Sequence, residues 1–407
     1  MKRPRLIIVG AGQAAAQLIA SLRADGFEGP VTLVGEEAYP PYQRPPLSKA
    51  FLKGEIGLDR VILKADSFYE EAGVELRLGR RAVAIDRDRR MLRLDSGERL
   101  GFDRLVLATG SRVRRLSCPG HDLSNIFYLR GIDDVEAIRP HLVAGARLAV
   151  IGAGYIGLEV AAVARGLGLE VTVLEAAPRV MMRVTAPQMS SFFEAVHREA
   201  GVRIACGTMV EAIEGAGRAE AVRLADGRRV EADVIIVGIG IVPAGVALAE
   251  AAGLACDNGI AVDALTRTSD PRILAIGDCT SHPSLLYGHR VRLESVQNAI
   301  GQAKTAAAHL LGRDQPYDEV PWFWSDQYAL KLQIAGLNAG YDRVVLRGDP
   351  ATRAFAAFYL SGGVLIAVDA VNRPPDYMLG RKAIGERARP DPERLADPDI
   401  PLKDILS

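Results

Sequence analysis

The stretch RLAVIGAGYIGLEVAAVARGLGLEVTVLE, residues 147–175, repeats a device already used by RLIIVGAGQAAAQLIA at residues 5–20. In each, an apolar run meets a G-x-G loop and continues into a helix-like segment. This is the order in which free N–H groups at a helix N-terminus face a pyrophosphate. In the first copy the strand Leu6 to Val9 leads to Gly10, Gly12 and the pair Ala14 and Ala15, and the pattern predicts a helix from Gln13 to Ala24. Gly10 suits the tight turn, Gly12 leaves the backbone open to phosphate, and Ala15 is the small residue needed where helix meets strand. The strand VTLVG then delivers Glu36 at the spacing of an acid that takes a ribose hydroxyl.

The second copy has every part: Gly152, Gly154 and Gly157, a helix from Tyr155 to about Gly166, and Glu175 closing EVTVLE. Tyr155 and Ile156, the first residues past the loop, join Gly152 and Gly154 as candidates for contact with this second nucleotide. Each copy also has a closing strand. DRLVLATGS ends on Thr109 and Gly110, and DVIIVGIGI ends on Gly238, Ile239 and Gly240. Unbroken β-branched apolar runs of this kind suit parallel strands buried on both faces, and the rim glycines let the chain pass close to a ligand.

Composition excludes several classes. A chain of 407 residues with 49% hydrophobic content can bury substantial cores in two or three domains. No apolar run approaches the roughly 20 residues of a membrane span, and the first strand begins at once, so a cytoplasmic location and no membrane contact are expected. With 50 basic and 50 acidic residues the formal net charge is zero, which gives no bulk attraction to nucleic acid. Cys118, Cys206, Cys256 and Cys279 lie far apart with no C-x-x-C pair and no metal-ligand spacing, so they are expected to be buried small apolar residues. The six histidines, among them His121, His141 and His197, show no ligand spacing either. Two nucleotide sites without a separate catalytic constellation imply that cofactors carry the chemistry.

The whole arrangement resembles the two-dinucleotide-binding flavoproteins, in which one fold holds FAD and a second, inserted in it, holds NAD(P)H. ILAIGDCT at 273–280 resembles the motif whose aspartate, here Asp278, contacts the FAD ribityl chain. YQRPPLSK at 42–49, PWFWSDQY at 321–328 and AVDAVNRP at 367–374 resemble the oxygenase-coupled ferredoxin reductases of the putidaredoxin reductase type. That resemblance implies two Rossmann-like domains of the glutathione-reductase kind plus a small α+β C-terminal domain. It divides the chain into an FAD domain at 1–112 and 243–322, an NAD domain at 113–242 and an interface domain at 323–407.

By the same resemblance Ala14, Glu36, Arg44, Val83, Thr109, Arg130 and Trp324 line FAD, and the backbone N–H of Val296 meets the flavin's pyrimidine edge. LESVQNAIGQAKTAAAHLL from 293 reads as a helix whose positive end would favour a reduced, anionic flavin. Lys49 follows a Pro-Pro turn that restricts the backbone, which would hold its ammonium where negative charge develops on reduction. Tyr155 resembles the ring that covers the flavin pocket, and Glu159, on the same helical face, the carboxylate near the nicotinamide amide. Glu175 argues for NADH over NADPH, since a carboxylate repels a 2′-phosphate. Arg179 and Arg183 are the residues able to grip such a phosphate, and Arg183 is assigned to the adenosine or pyrophosphate.

Without a thiol relay, electrons must leave directly from the flavin edge, which suits a [2Fe–2S] ferredoxin. The implied activity is hydride transfer from NADH to FAD, then single electrons to a ferredoxin feeding a cytochrome P450 or Rieske oxygenase. The alternatives are a rubredoxin reductase and a flavoprotein of the apoptosis-inducing-factor type. Arg313, Lys331, Arg343 and Arg347 are the expected basic patch for a transient, electrostatic ferredoxin contact.

Overall fold

The computed structural model describes residues 3–406. The chain separates into two compact units, one formed by Met1–Gln43, Leu58–Arg112 and Val242–Pro321, the other by Arg44–Gly57, Val113–Ile241 and Trp322–Ser407.

In the first unit the strands Ile273–Ala275, Arg104–Leu107, Leu6–Val9, Val31–Val34 and Val74–Arg77 lie in that order in one parallel sheet. The register sets Ile8 beside Leu33 and Val106. Because side chains alternate along a strand, Leu6 and Ile8 enter one core and Ile7 and Val9 the other, and both faces are covered. Helices Gln13–Ala24 and Val296–Leu310 supply Ala14, Ala15, Ala299, Ala303 and Ala307 to the first core, small side chains that let helix and sheet approach closely. The other face is closed by Leu92, Leu94 and Phe102, in and beside the antiparallel strands Ala82–Asp86, Met91–Leu94 and Arg99–Gly101.

The second unit repeats this plan. Its parallel sheet runs Arg203–Ala205, Glu170–Leu174, Arg147–Ile151, Val234–Val237, Ile126–Tyr128, the same spatial order read from the opposite edge. A three-stranded meander, Val210–Glu214, Ala221–Leu224 and Arg229–Glu231, again precedes the closing strand. The modules differ in one connection. The strand flanking the closing strand comes late in the chain in the first, at Ile273–Ala275, and early in the second, at Ile126–Tyr128.

The same unit carries a five-stranded antiparallel sheet ordered Trp322–Gln327, Leu330–Gly336, Val364–Val371, Ala354–Ser361, Arg343–Asp349, followed by helix Pro374–Gly385. This is the small α+β C-terminal element that the sequence leads one to expect. Both nucleotide-loop helices begin and end as predicted, at Gln13–Ala24 and Tyr155–Gly166. The helix expected from 293 starts at Val296, because Ser295 caps it by accepting the Asn298 N–H at 3.1 Å.

Two expectations are corrected. Arg347 is 2% exposed, so it takes no part in a surface patch. Its guanidinium donates to the carbonyls of Leu395, Asp397, Pro398 and Ile400 and ties down the C-terminal tail. Of the cysteines only Cys279 is fully buried, while Cys118, Cys206 and Cys256 are half-buried. Among the described residues no helix is long and apolar enough to cross a membrane.

Candidate functional site: two nucleotide loops and a buried ion pair

The two glycine loops have the same geometry for the same steric reason. Gly10 has φ +110° and a Cβ there would lie 2.1 Å from the Ala108 carbonyl oxygen; Gly152 has φ +104° and a Cβ would lie 2.4 Å from that of Gly238. Each turn therefore packs against its own closing strand, and only glycine fits. At Gly157 a Cβ would fall 2.1 Å from the Gly152 oxygen, which explains the third glycine; the first module accepts Ala15, fully buried, at this position.

Gly12 and Gly154 behave differently. A Cβ at either would meet nothing within 4 Å, and each is the N-cap of a helix that has no side-chain cap. An open space in front of uncapped N–H groups at the positive end of a helix fits the pyrophosphate of a dinucleotide. Around the first loop Asp278 accepts the Ser111 hydroxyl at 2.8 Å, and Glu36 is exposed at the end of its strand. Val296 opens its helix, and the neighbouring Gln297 Oε1 and Asn298 Oδ1 are buried acceptors with no partner among the described residues. These features fit FAD. Thr109 gives its hydroxyl proton to the Ala244 carbonyl at 2.8 Å, so towards a ligand that oxygen is left as an acceptor. Val83 sits 36% exposed in the meander.

In the second unit Glu175 reaches back to its own glycine loop. Its carboxylate accepts the Ala153 N–H at 2.6 Å and the Ala177 N–H at 2.8 Å. Arg179 is engaged with Ser190 and the Met182 carbonyl, whereas exposed Arg183 has its guanidinium against Gly240, where a Cβ would lie 3.3 Å from Nη2. Ile156 is 43% exposed beside the loop, an apolar surface available to a flat ring.

Four residues meet on the next turn of this helix. Glu159 is 2% exposed; its Oε2 accepts Lys49 Nζ at 2.6 Å and Ser48 Oγ at 2.5 Å, and its Oε1 accepts Ser325 Oγ at 2.7 Å. Lys49 reaches this carboxylate because Pro45 and Pro46 start a tight 3₁₀ turn, Pro45–Ser48, closed by the Lys49 N–H on the Pro46 carbonyl. The segment is held from the other side by Arg139, which donates to the Phe51 carbonyl at 2.8 Å and lies over the Phe51 ring. Arg44 donates to the Arg130 carbonyl at 2.6 Å, joining two predicted FAD residues. One helical turn before Glu159, Tyr155 packs on Phe323 with ring centroids 5.0 Å apart. Burial first, and the carboxylates of Asp369 and Glu159 second, push the Tyr155 hydroxyl well above its ordinary range, so it stays protonated. Trp324 lies beside Trp322, centroids 5.7 Å apart.

Ser48, Phe323 and Ser325 are absent from the sequence reading. One signal was available for Phe323 and Ser325: in an alternating strand they fall on one face.

The family model described as pyridine nucleotide-disulphide oxidoreductase matches residues 4–303, and one described as reductase C-terminal matches residues 322–406. The 5,5′-dehydrodivanillate O-demethylase ferredoxin reductase subunit of Sphingobium sp. (strain NBRC 103272 / SYK-6) is 48% identical over 98% of each chain. Putidaredoxin reductase of Pseudomonas putida is 45% identical over 99% of this chain and 96% of its own. Among solved structures, the reductase in the covalent putidaredoxin reductase–putidaredoxin complex superposes with a TM-score of 0.97 at 44% identity, covering 100% of this chain and 99% of that one. The chain belongs to the pyridine nucleotide-disulphide oxidoreductase family and, within it, to the ferredoxin reductases.

Proposed function

We infer that this chain carries electrons from NADH through FAD to a [2Fe–2S] ferredoxin that serves a cytochrome P450 or Rieske oxygenase in the cytoplasm. One observation carries the reading: two uncapped glycine-loop modules occur in a chain whose four cysteines are all free and lack C-x-x-C spacing. FAD and NAD(H) are the cofactors of its family. When bound, FAD accepts a hydride from NADH and gives electrons up singly, the conversion a one-electron carrier requires.

The chain's own residues have these parts. Residues 1–112 and 243–322 hold FAD through Gly10, Gly12, Glu36, Asp278 and Val296; residues 113–242 hold NADH through Gly152, Gly154, Glu175 and Arg183; residues 323–407 form the interface domain. Lys49 places a positive charge at the hydride site, and Glu159 and its serine partners hold that ammonium in place. Tyr155, backed by Phe323, covers the flavin pocket, excludes water and moves when nicotinamide enters. Exposed Lys331 and Arg343 contribute to a transient electrostatic dock for an acidic ferredoxin.

Anaerobic addition of NADH to the FAD-loaded protein tests the hydride half. Rapid loss of flavin absorbance with NADH and slow loss with NADPH are expected. Equal rates would refute the coenzyme preference, and no loss with either would refute the reading.

A further inference from the structure

His197 is one of the histidines that the sequence offers no use for, and it is fully buried. Its Nε2 lies 2.9 Å from Gln327 Oε1; Gln327 Nε2 lies 3.2 Å from Ser325 Oγ; Ser325 Oγ lies 2.7 Å from Glu159 Oε1. On the far side, Tyr328 Oη lies 3.1 Å from His197 Nδ1. An unbroken line of side chains thus runs from the Lys49–Glu159 pair to Tyr328, which is 39% exposed.

The protons on this line can be placed by counting. With Lys49 Nζ on its other oxygen, Glu159 is the anionic end and can only accept. Ser325 has one proton and gives it to Glu159, so it must accept from the Gln327 amide. Gln327 then presents its carbonyl oxygen to His197, so Nε2 carries the proton, Nδ1 is bare, and the Tyr328 hydroxyl donates to it. Every donor points toward Glu159, the arrangement in which successive hydrogen bonds polarise one another. The opposite amide orientation would face Ser325 with two acceptors, Glu159 and the Gln327 carbonyl, and only one proton to give. Burial, partly opposed by the Gln327 acceptor, lowers the His197 pKa, in keeping with a neutral ring.

The backbone supplies a second observation. Tyr328 opens the turn between strands Trp322–Gln327 and Leu330–Gly336 with φ +54°, the left-handed region where glycine or asparagine sits without strain. The side chain carried on this left-handed backbone ends on His197, with the rings edge to face at 5.0 Å.

We propose that His197, fixed as its Nε2–H tautomer, is a positioning residue for the Lys49–Glu159 pair, acting through Gln327 and Ser325 and joined to the surface by Tyr328. The proposal rests on the reading of that pair as part of the hydride site. It assigns Glu159 Oε1 to the serine line and leaves Oε2 to Lys49. A buried imidazole that merely filled space would be indifferent to the far end of the line.

The test is the ¹⁵N spectrum of the ring nitrogens in histidine-labelled, FAD-loaded protein, with His197→Asn to assign the signal. A protonated Nε2 and a bare Nδ1 are expected in the wild type. Both shifts are expected to move in Ser325→Ala and in Glu159→Gln, although neither replaced side chain touches the ring, and to stay in place in Glu199→Gln, an exposed change on the same helix. An Nδ1–H tautomer, a charged ring, or shifts indifferent to Ser325→Ala and Glu159→Gln would overturn the proposal. Flavin reduction by NADH in His197→Asn is expected to slow several-fold with the NADH KM unchanged, and a wild-type rate would also overturn it. Should NADH fail to reduce even the wild-type flavin, the hydride-site reading falls while the spectra still decide the line.

Discussion

Lys49 Nζ lies 2.6 Å from Glu159 Oε2, across 110 positions of sequence, and the carboxylate is 2% exposed. An ion pair so buried is weak evidence for stability by itself, because removing two charges from water offsets most of their attraction. Its asymmetry is informative.

Lys49→Met leaves the Glu159 charge with only its serine donors, and a destabilisation on the order of 3–5 kcal/mol is expected. The double variant Lys49→Met/Glu159→Gln is expected to regain most of that stability while flavin reduction by NADH stays slow. Urea denaturation of the single and double variants measures the first effect and stopped-flow absorbance the second. Additive losses in stability would show that the two side chains are not coupled.

Glu175 is tied into its own glycine loop, and the proposed function also gives it the ribose of NADH. Glu175→Ala removes the acceptor of two backbone N–H groups, so NADH binding should weaken and discrimination against NADPH should fall on the order of tenfold. The ratio of kcat/KM values for the two coenzymes measures this; an unchanged ratio would remove Glu175 from coenzyme selection.

Asp369 gives stability a pH dependence. An unfolded aspartate titrates at about 3.9, whereas burial, opposed in part by the Tyr359 hydroxyl, pushes the Asp369 carboxyl up to about 7. Between these values the folded chain keeps a proton that the unfolded chain has lost. Stability from this group is therefore full at low pH, falls as pH rises from about 4 to about 7, and is level above that. Asp369→Asn is expected to remove this fall in urea midpoints; the same slope in the variant would assign it to other groups.

Arg347→Ala should uncouple structure from docking. With four tail carbonyls deprived of their donor, a loss of about 3 kcal/mol or more and faster proteolysis of the C-terminal tail are expected. The rate of flavin reduction should be unchanged. Lys331→Glu and Arg343→Glu should instead lower kcat/KM for ferredoxin, most strongly at low salt. A ferredoxin defect in Arg347→Ala with an intact tail would return that residue to the dock.

The parts of this molecule that were legible in the sequence are those whose geometry is local. Gly10, Gly12, Gly152 and Gly154 sit within a few residues of the strand and helix they join, so spacing alone described their loops. The approach of Lys49 to Glu159 was not legible, since no local rule connects residues 110 positions apart and the resemblance named each one separately. The serine partners and the His197 line depend on which strand lies beside which helix, with 166 positions between Ser325 and Glu159 and 130 between His197 and Gln327. Arg347 was misread because its charge was weighed above its phase: it alternates with buried Val345 on the core face of its strand. The cysteines were misread because residue type says little about depth at the edge of a core.

The most direct test of the account is NADH-driven cytochrome c reduction by the FAD-loaded protein, with and without a [2Fe–2S] ferredoxin from a P450 system. Strong, saturable stimulation by the ferredoxin, weakening as salt rises, is the expected result. Rapid flavin reduction by NADH with no stimulation by any of several such ferredoxins would contradict it.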